Sequence, residues 1–218
     1  MQLGAPVFIL VLCGLSAACS GPGVLHGELT SPTAQKDALA ISDALEALIA
    51  EGKDSPADRQ YAYDQIRAHE EDTAAYAFAR AAITGRYVQG KGLTSAPLVR
   101  DVERFARRSI ELDPGFRGGA AMRMLGTLYV LAPATLLAHG DSEEGLSMLE
   151  RLLAAHPEVI ENHLRVAEAM IALGDPAPAA PHLCFCLAKK SALRHDEQLL
   201  LEHLIKDADM GPCPSTGP

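Results

Sequence analysis

From Glu161 to Ala188 the chain reads ENHLRVAEAMIALGDPAPAAPHLCFCLA, and its apolar positions fall into two sets with helical spacing. Val166, Ala167, Met170 and Leu173 recur at i, i+1, i+4 and i+7, which is one face of a helix. Gly174 suits the left-handed backbone that ends such a helix. Asp175 is placed to cap a second helix, and Pro176 to occupy its first turn, where a missing amide hydrogen costs little. Ala179, Leu183 and Cys186 then make the inner face of that second helix. The pattern predicts a helix, a tight turn and another helix.

The same alternation runs back along the chain. A helix is expected from Asp37 to Glu51, closed by Gly52, with Ser55 and Pro56 starting the next, in which Ala57 and Tyr61 face inward. Phe78-Ala79-Arg80-Ala81 and Leu125-Gly126 with Tyr129 mark further first helices, and RSIELDP, Arg108 to Pro114, the end of a second one. Two stretches break the register, one between Gln89 and Pro97 and one between Leu131 and Asp141. Each is read as a lengthened turn, and Asp141 with Glu144 restarts the helix after the second. A last amphipathic segment, Asp196 to Ala208, turns Leu199, Leu200 and Leu204 inward and closes the end of the stack. With no tryptophan and 5% aromatic residues, the core is filled by small and aliphatic side chains, which suits closely packed helices. The fold class is all-α.

These hairpins resemble the tetratricopeptide repeat (TPR), in which small residues let two helices approach closely while large ones fill the groove toward the next repeat. Val166-Ala167 with Met170, Leu125-Gly126 with Tyr129, and Ala179, Leu183, Cys186 sit at the motif positions. The resemblance spans about Asp37 to Lys190 and implies a solenoid of about four helix-turn-helix repeats plus a C-terminal capping helix, within a domain of residues 35–208. It also implies a concave groove lined by the first helices. On this register Tyr76, Arg80, Arg123, Thr127, Glu161, Arg165 and Glu168 look into it. Guanidinium groups there would receive carboxylates or an acidic segment in bidentate fashion. The stretch YVLAPATLLAHGDSEEGLSMLERLL is in turn similar to the lengthened turn and following helix of the T component that accompanies some TRAP-type transporters.

The N-terminus carries a different signal. Val7 to Leu15 is an apolar run too short to span a bilayer and of the right length for a secretory signal. Ser16-Ala17-Ala18-Cys19 after it resembles the lipobox of bacterial lipoproteins, in which Cys19 becomes the lipidated first residue. Ser16 replaces the usual large residue, so cleavage by an ordinary signal peptidase after Ala18 is the rival. Residues 1–18 are thus read as a signal peptide, residues 19–34 as a Gly/Pro/Ser/Thr-rich tether and residues 209–218 as a disordered tail. Export with lipidation implies a membrane anchor, and Ser20 directly after Cys19 implies the periplasmic face of the outer membrane. Cys184, Cys186 and Cys213 are read as buried small side chains, with a Cys184–Cys213 bridge as the other arrangement in an oxidising compartment.

A formal net charge of −9 argues against a general nucleic-acid binder, because phosphate contacts need clustered Lys and Arg. The eight histidines have no zinc-ligand spacing, no serine sits in a nucleophile elbow, and Gly90-Lys91-Gly92 lacks the rest of a phosphate loop. The reading is therefore of a non-enzyme without metal or cofactor. It binds a protein or peptide in the groove, is held to a membrane by its lipid, and leaves oligomerisation open. The alternative is a solute-binding or transporter-accessory lipoprotein, for which an enclosed cavity rather than an open groove is expected.

Overall fold

A computed structural model describes residues 23–91 and 95–213, all of whose regular structure is helical. The expected signal peptide, Cys19, Gly92 and the last five residues lie outside the described residues. After a short helix α1 (Gly27–Thr30), antiparallel pairs follow one another: α2 (Ala38–Ala50) with α3 (Pro56–Ile66), α4 (Ala74–Gln89) with α5 (Ala96–Leu112), α6 (Ala120–Leu131) with α7 (Ser142–Ala155), and α8 (Ile160–Ala172) with α9 (Ala180–Ala188). A single helix α10 (His195–Asp207) ends the series. This is a helical-repeat solenoid of four pairs and a terminal helix.

Local chemistry sets the boundaries. Asp37 caps α2 by accepting from the Ala40 amide at 2.8 Å, and Thr73 caps α4 by accepting from the Tyr76 amide at 3.1 Å. Ser55 and Asp58 form a reciprocal capping box at the start of α3. Gly52 and Gly174 take φ of +66° and +84°, which an L side chain resists. One boundary differs from expectation. Asp175 caps nothing. The chain leaves Gly174 through a 3-10 turn at Ala177–Ala179, which positions its first prolines without an intact α-helical turn.

Packing within pairs follows the small-residue positions. An added Cβ at Gly145 would lie 2.7 Å from the Gly126 carbonyl oxygen, and one at Gly126 would lie 2.9 Å from the Leu149 side chain, so α6 and α7 touch through backbone. Ala179, Leu183 and Cys186 are fully buried between α8, α9 and α10. In α3 the buried positions are Ala62, Tyr63 and Ile66, one position on from the expected Ala57 and Tyr61, of which Tyr61 packs partly buried against the same core. In α10 the buried positions are Glu197, Leu201 and Leu204, with Leu200 packed against the same core and Leu199 53% exposed.

The lengthened turn after α6 is packed, not loose. The Glu103 carboxylate on α5 is 1% exposed and accepts from the amides of Ala138 and His139, each at 2.7 Å, and from the Tyr129 hydroxyl at 3.1 Å. Three donors converging on one buried carboxylate satisfy it and pin the turn against α5.

Both expected flexible ends are tied down within the described residues. Leu29 is fully buried, and His26 gives its amide to Asp58 Oδ1 and sets Nδ1 against Oδ2, each at 2.8 Å. The segment after Gly23 is therefore a strap across α2 and α3 and not part of a tether. Burial alone would raise the Asp58 carboxyl, but hydrogen bonds from His26 and Ser55 outweigh it and hold the group below its ordinary value. At the other end Cys213 is bridged to Cys184 on α9, the arrangement that makes the tail part of the fold through that point. Cys186 stays free and buried.

Candidate functional site

The helices α2, α4, α6, α8 and α10 share the inner side of the solenoid, and α10 packs on α8 and α9 and also reaches back to α2. First repeat and last helix therefore meet. Ion pairs make the junction. Arg86 on α4 grips Glu46 of α2 with Nε and Nη2, both at 2.7 Å, and gives Nη1 to Asp196 of α10 at 3.0 Å. Arg194, at the start of α10, bonds the same Glu46 carboxylate and pairs with Glu197 at 2.9 Å. Burial alone would raise the Glu46 carboxyl, but Arg86 and then Arg194 hold it below its ordinary value. Asp43, one turn before Glu46 on α2, takes both Nη groups of Arg117 from the α5–α6 turn at 2.6 and 2.7 Å.

Closure leaves a cavity of about 420 Å³ on the inner side, partly open to solvent. Its lining is apolar at Phe78, Ala82, Met124, Leu128 and Leu131 and charged at Arg123, Glu161 and Arg165 beside the junction. Of the residues expected in the groove, Arg123, Thr127, Glu161 and Arg165 line it.

Tyr76, Arg80 and Glu168 do not line it. Tyr76 is 6% exposed, packs edge-on against Phe105 and donates its hydroxyl to the His69 carbonyl at 2.7 Å. Arg80 is buried with its guanidinium over the Phe105 ring at 5.2 Å. Both point to α5. The inner side of α4 is Phe78, Ala82, Gly85, Arg86 and Gln89, because positions three, four and seven apart share a face while Tyr76 and Arg80 lie around the helix from them. Glu168 sits beyond the cavity rim and receives Arg165 Nη1 at 2.7 Å. Glu46, Arg86, Arg117, Arg194 and Glu197 were missed. Glu46, Arg86 and Glu197 show in the sequence only as charges within helices, Arg117 and Arg194 only as charges in turns.

The arginines of the cavity are not equivalent. Arg86, Arg117, Arg165 and Arg194 each engage a carboxylate. Arg123 instead gives Nη1 to the neutral Oδ1 of Asn162 at 2.7 Å, its one hydrogen bond among the described side chains. Asn162 is 2% exposed, and its amide donates to the His156 carbonyl at 3.2 Å, which fixes the orientation of its oxygen. Burial, more than the neighbouring charges, pushes the Arg123 guanidinium below its ordinary value.

A second polar cluster lies outside the cavity. His163 and His182 approach Nδ1 to Nδ1 at 3.0 Å, with His163 stacked on Phe185 and its Nε2 at 2.8 Å from the Pro157 carbonyl. Because Nε2 meets a carbonyl it carries the hydrogen, so His163 Nδ1 accepts and His182 donates. Nineteen residues separate the two, so sequence spacing did not pair them. No group of three or more metal-binding side chains is present among the described residues, and none of their helices is long and apolar enough to cross a membrane. No protein-family model matches the chain, and no curated protein is significantly similar to it in sequence.

Proposed function

We propose that the protein binds a metabolite-sized solute in the cavity inside its helical ring. One observation carries the reading: α10 crosses to α2 and bounds the concave side to a chamber of about 420 Å³, within the range of small-molecule sites. A scaffold that receives an extended protein or peptide needs a groove open along its length. Here such a chain would meet the Glu46–Arg86–Arg194 junction. We assign the helix pairs to the tetratricopeptide type on Leu125, Gly126, Tyr129 and their counterparts in α8 and α9.

The proposed setting is the cell envelope, with Cys19 as the acylated residue. Cys19 stands four residues before Gly23, where an added Cβ would lie 2.5 Å from Ser55 Cβ. At about 3.5 Å per residue, the anchor would hold the α2–α3 end within about 14 Å of the bilayer. A transporter-accessory role, handing solute to a membrane partner, fits that placement.

Gly85 supplies the test. It lines the cavity, and a Cβ there would touch nothing within 4 Å, so Gly85→Leu directs a branched side chain into the chamber and takes up part of it. Metabolite-sized compounds screened by methyl NMR should shift Met124 and Leu128 in the wild-type protein and lose that effect in Gly85→Leu. Ligands that bind both proteins equally, or a screen with no shift at these methyls, would overturn the proposal.

A further inference from the structure

Resting on that reading, we infer that the solute is an organic monocarboxylate: its carboxylate takes the unoccupied edge of Arg123, and its apolar body lies along the apolar lining from Phe78 to Leu131. The argument starts from the cavity's charges. Four of its five arginines are matched to carboxylates supplied by the fold, so their charge is already answered. Arg123 has only the Asn162 oxygen on Nη1, and its Nε and Nη2 have no hydrogen-bond partner among the described residues. A guanidinium presents Nε and Nη2 as a planar fork that matches the two oxygens of a carboxylate. Asn162 is held by its own amide, so it fixes Arg123 from one side and leaves that fork in place before any ligand arrives.

Neighbouring groups narrow the class. Glu161 lines the cavity, makes no ion pair among the described residues and acts electrostatically on Arg123, so it opposes every anionic group that enters and weighs twice against a dianion. This favours one carboxylate over two. Phe78, Ala82, Met124, Leu128 and Leu131 outnumber the uncharged polar side chains of the lining, Gln89 and Thr127, which suits a hydrocarbon or aromatic remainder over a sugar.

Three six-carbon probes separate the possibilities: hexanoate, hexanamide and adipate, titrated at neutral pH with the Met124 and Leu128 methyls as readout. Hexanoate should bind about tenfold to a hundredfold more tightly than hexanamide, the range of a charge-assisted bidentate contact, and more tightly than adipate. Arg123→Ala should bring hexanoate to the level of hexanamide in the same variant, and Met124 and Leu128 methyl signals like those of the wild type report that the cavity is intact. Arg123→Lys, which keeps the charge and loses the fork, should fall between and decides the matter if the alanine variant is unfolded. Hexanamide binding as well as hexanoate, or hexanoate indifferent to both variants, would overturn the monocarboxylate assignment while leaving a solute site standing. Failure of every probe, and of the wider compound screen, to move these methyls would remove both readings.

Discussion

Substituting Glu46 by glutamine removes one charge from the junction between the first repeat and the last helix and changes almost nothing else in shape. The carboxylate holds both Arg86 and Arg194, so the variant leaves two guanidinium groups with only Asp196 and Glu197 as anionic partners. Exposed ion pairs contribute about 0–1 kcal/mol, and breaking a buried pair costs about 3–5 kcal/mol. The side chains of Glu46 and Arg86 are 25% and 14% exposed, between these limits. A loss of about 2 kcal/mol is expected, which for a domain of this size lowers the melting temperature by about 4–8 °C. The pH dependence gives a second readout. Because the folded-state pKa of Glu46 is depressed from 4.5, its contribution is complete above that value and is lost as pH falls through the lower folded one. Asp58 titrates in the same direction, so the informative quantity is the difference between wild type and Glu46→Gln. That difference should be largest at neutral pH, shrink below pH 4.5, and shrink also in high salt. Circular dichroism melts across this range measure it, and hydrogen exchange should locate the loosening in α10. A variant that melts with the wild type at neutral pH and low salt would refute the claim that charge closes the ring.

Other expectations follow from single contacts. Gly145→Ala forces a methyl to 2.7 Å from the Gly126 carbonyl and should cost about 1–3 kcal/mol in urea unfolding, whereas Gly85→Ala, which meets nothing, should stabilise by about 0.5–1 kcal/mol. Cys213→Ser opens a covalent loop of 29 residues and on the chain-entropy scale should cost about 3–4 kcal/mol, read as a drop in melting temperature that reductant reproduces in the wild type. Cys186, whose thiol burial pushes up to about 12, should resist alkylation until the protein unfolds. Burial, and then the neighbouring His163, hold the His182 pKa below 6.5, so stability should decline as pH falls below that value. An NMR titration that places the His182 ring at or above 6.5 would contradict the His163–His182 contact.

Helix positions and limits were legible in the sequence because they are local. Asp37, Ser55 and Asp141 cap amides three residues away, and Gly52 and Gly174 end helices through their own backbone. The all-α class and the pairing of neighbours follow from those limits together with short turns. The direction in which a helix faces did not follow as well. In α4 every residue from Tyr76 to Thr84 is buried, so no hydrophobic stripe remains to tell the inner side from the side toward α5, and Tyr76 and Arg80 were assigned to the wrong one. In α8, where polar residues interrupt the pattern, Glu161 and Arg165 were assigned to the side they occupy, and only Glu168, which pairs with Arg165, was not.

Ring closure was beyond the reach of sequence. Arg194 and Glu46 are 148 residues apart, and each alone reads as a solvated charge at a helix surface. The small rotation from one helix pair to the next depends on how side chains of both pairs interlock, and only its accumulation over four pairs brings α10 against α2. Chain chemistry by itself determined where helices start, stop and pair. The tertiary structure decided that their curvature closes on itself, that a cavity lies within, and that Arg123 alone among its arginines has no carboxylate partner among the described residues.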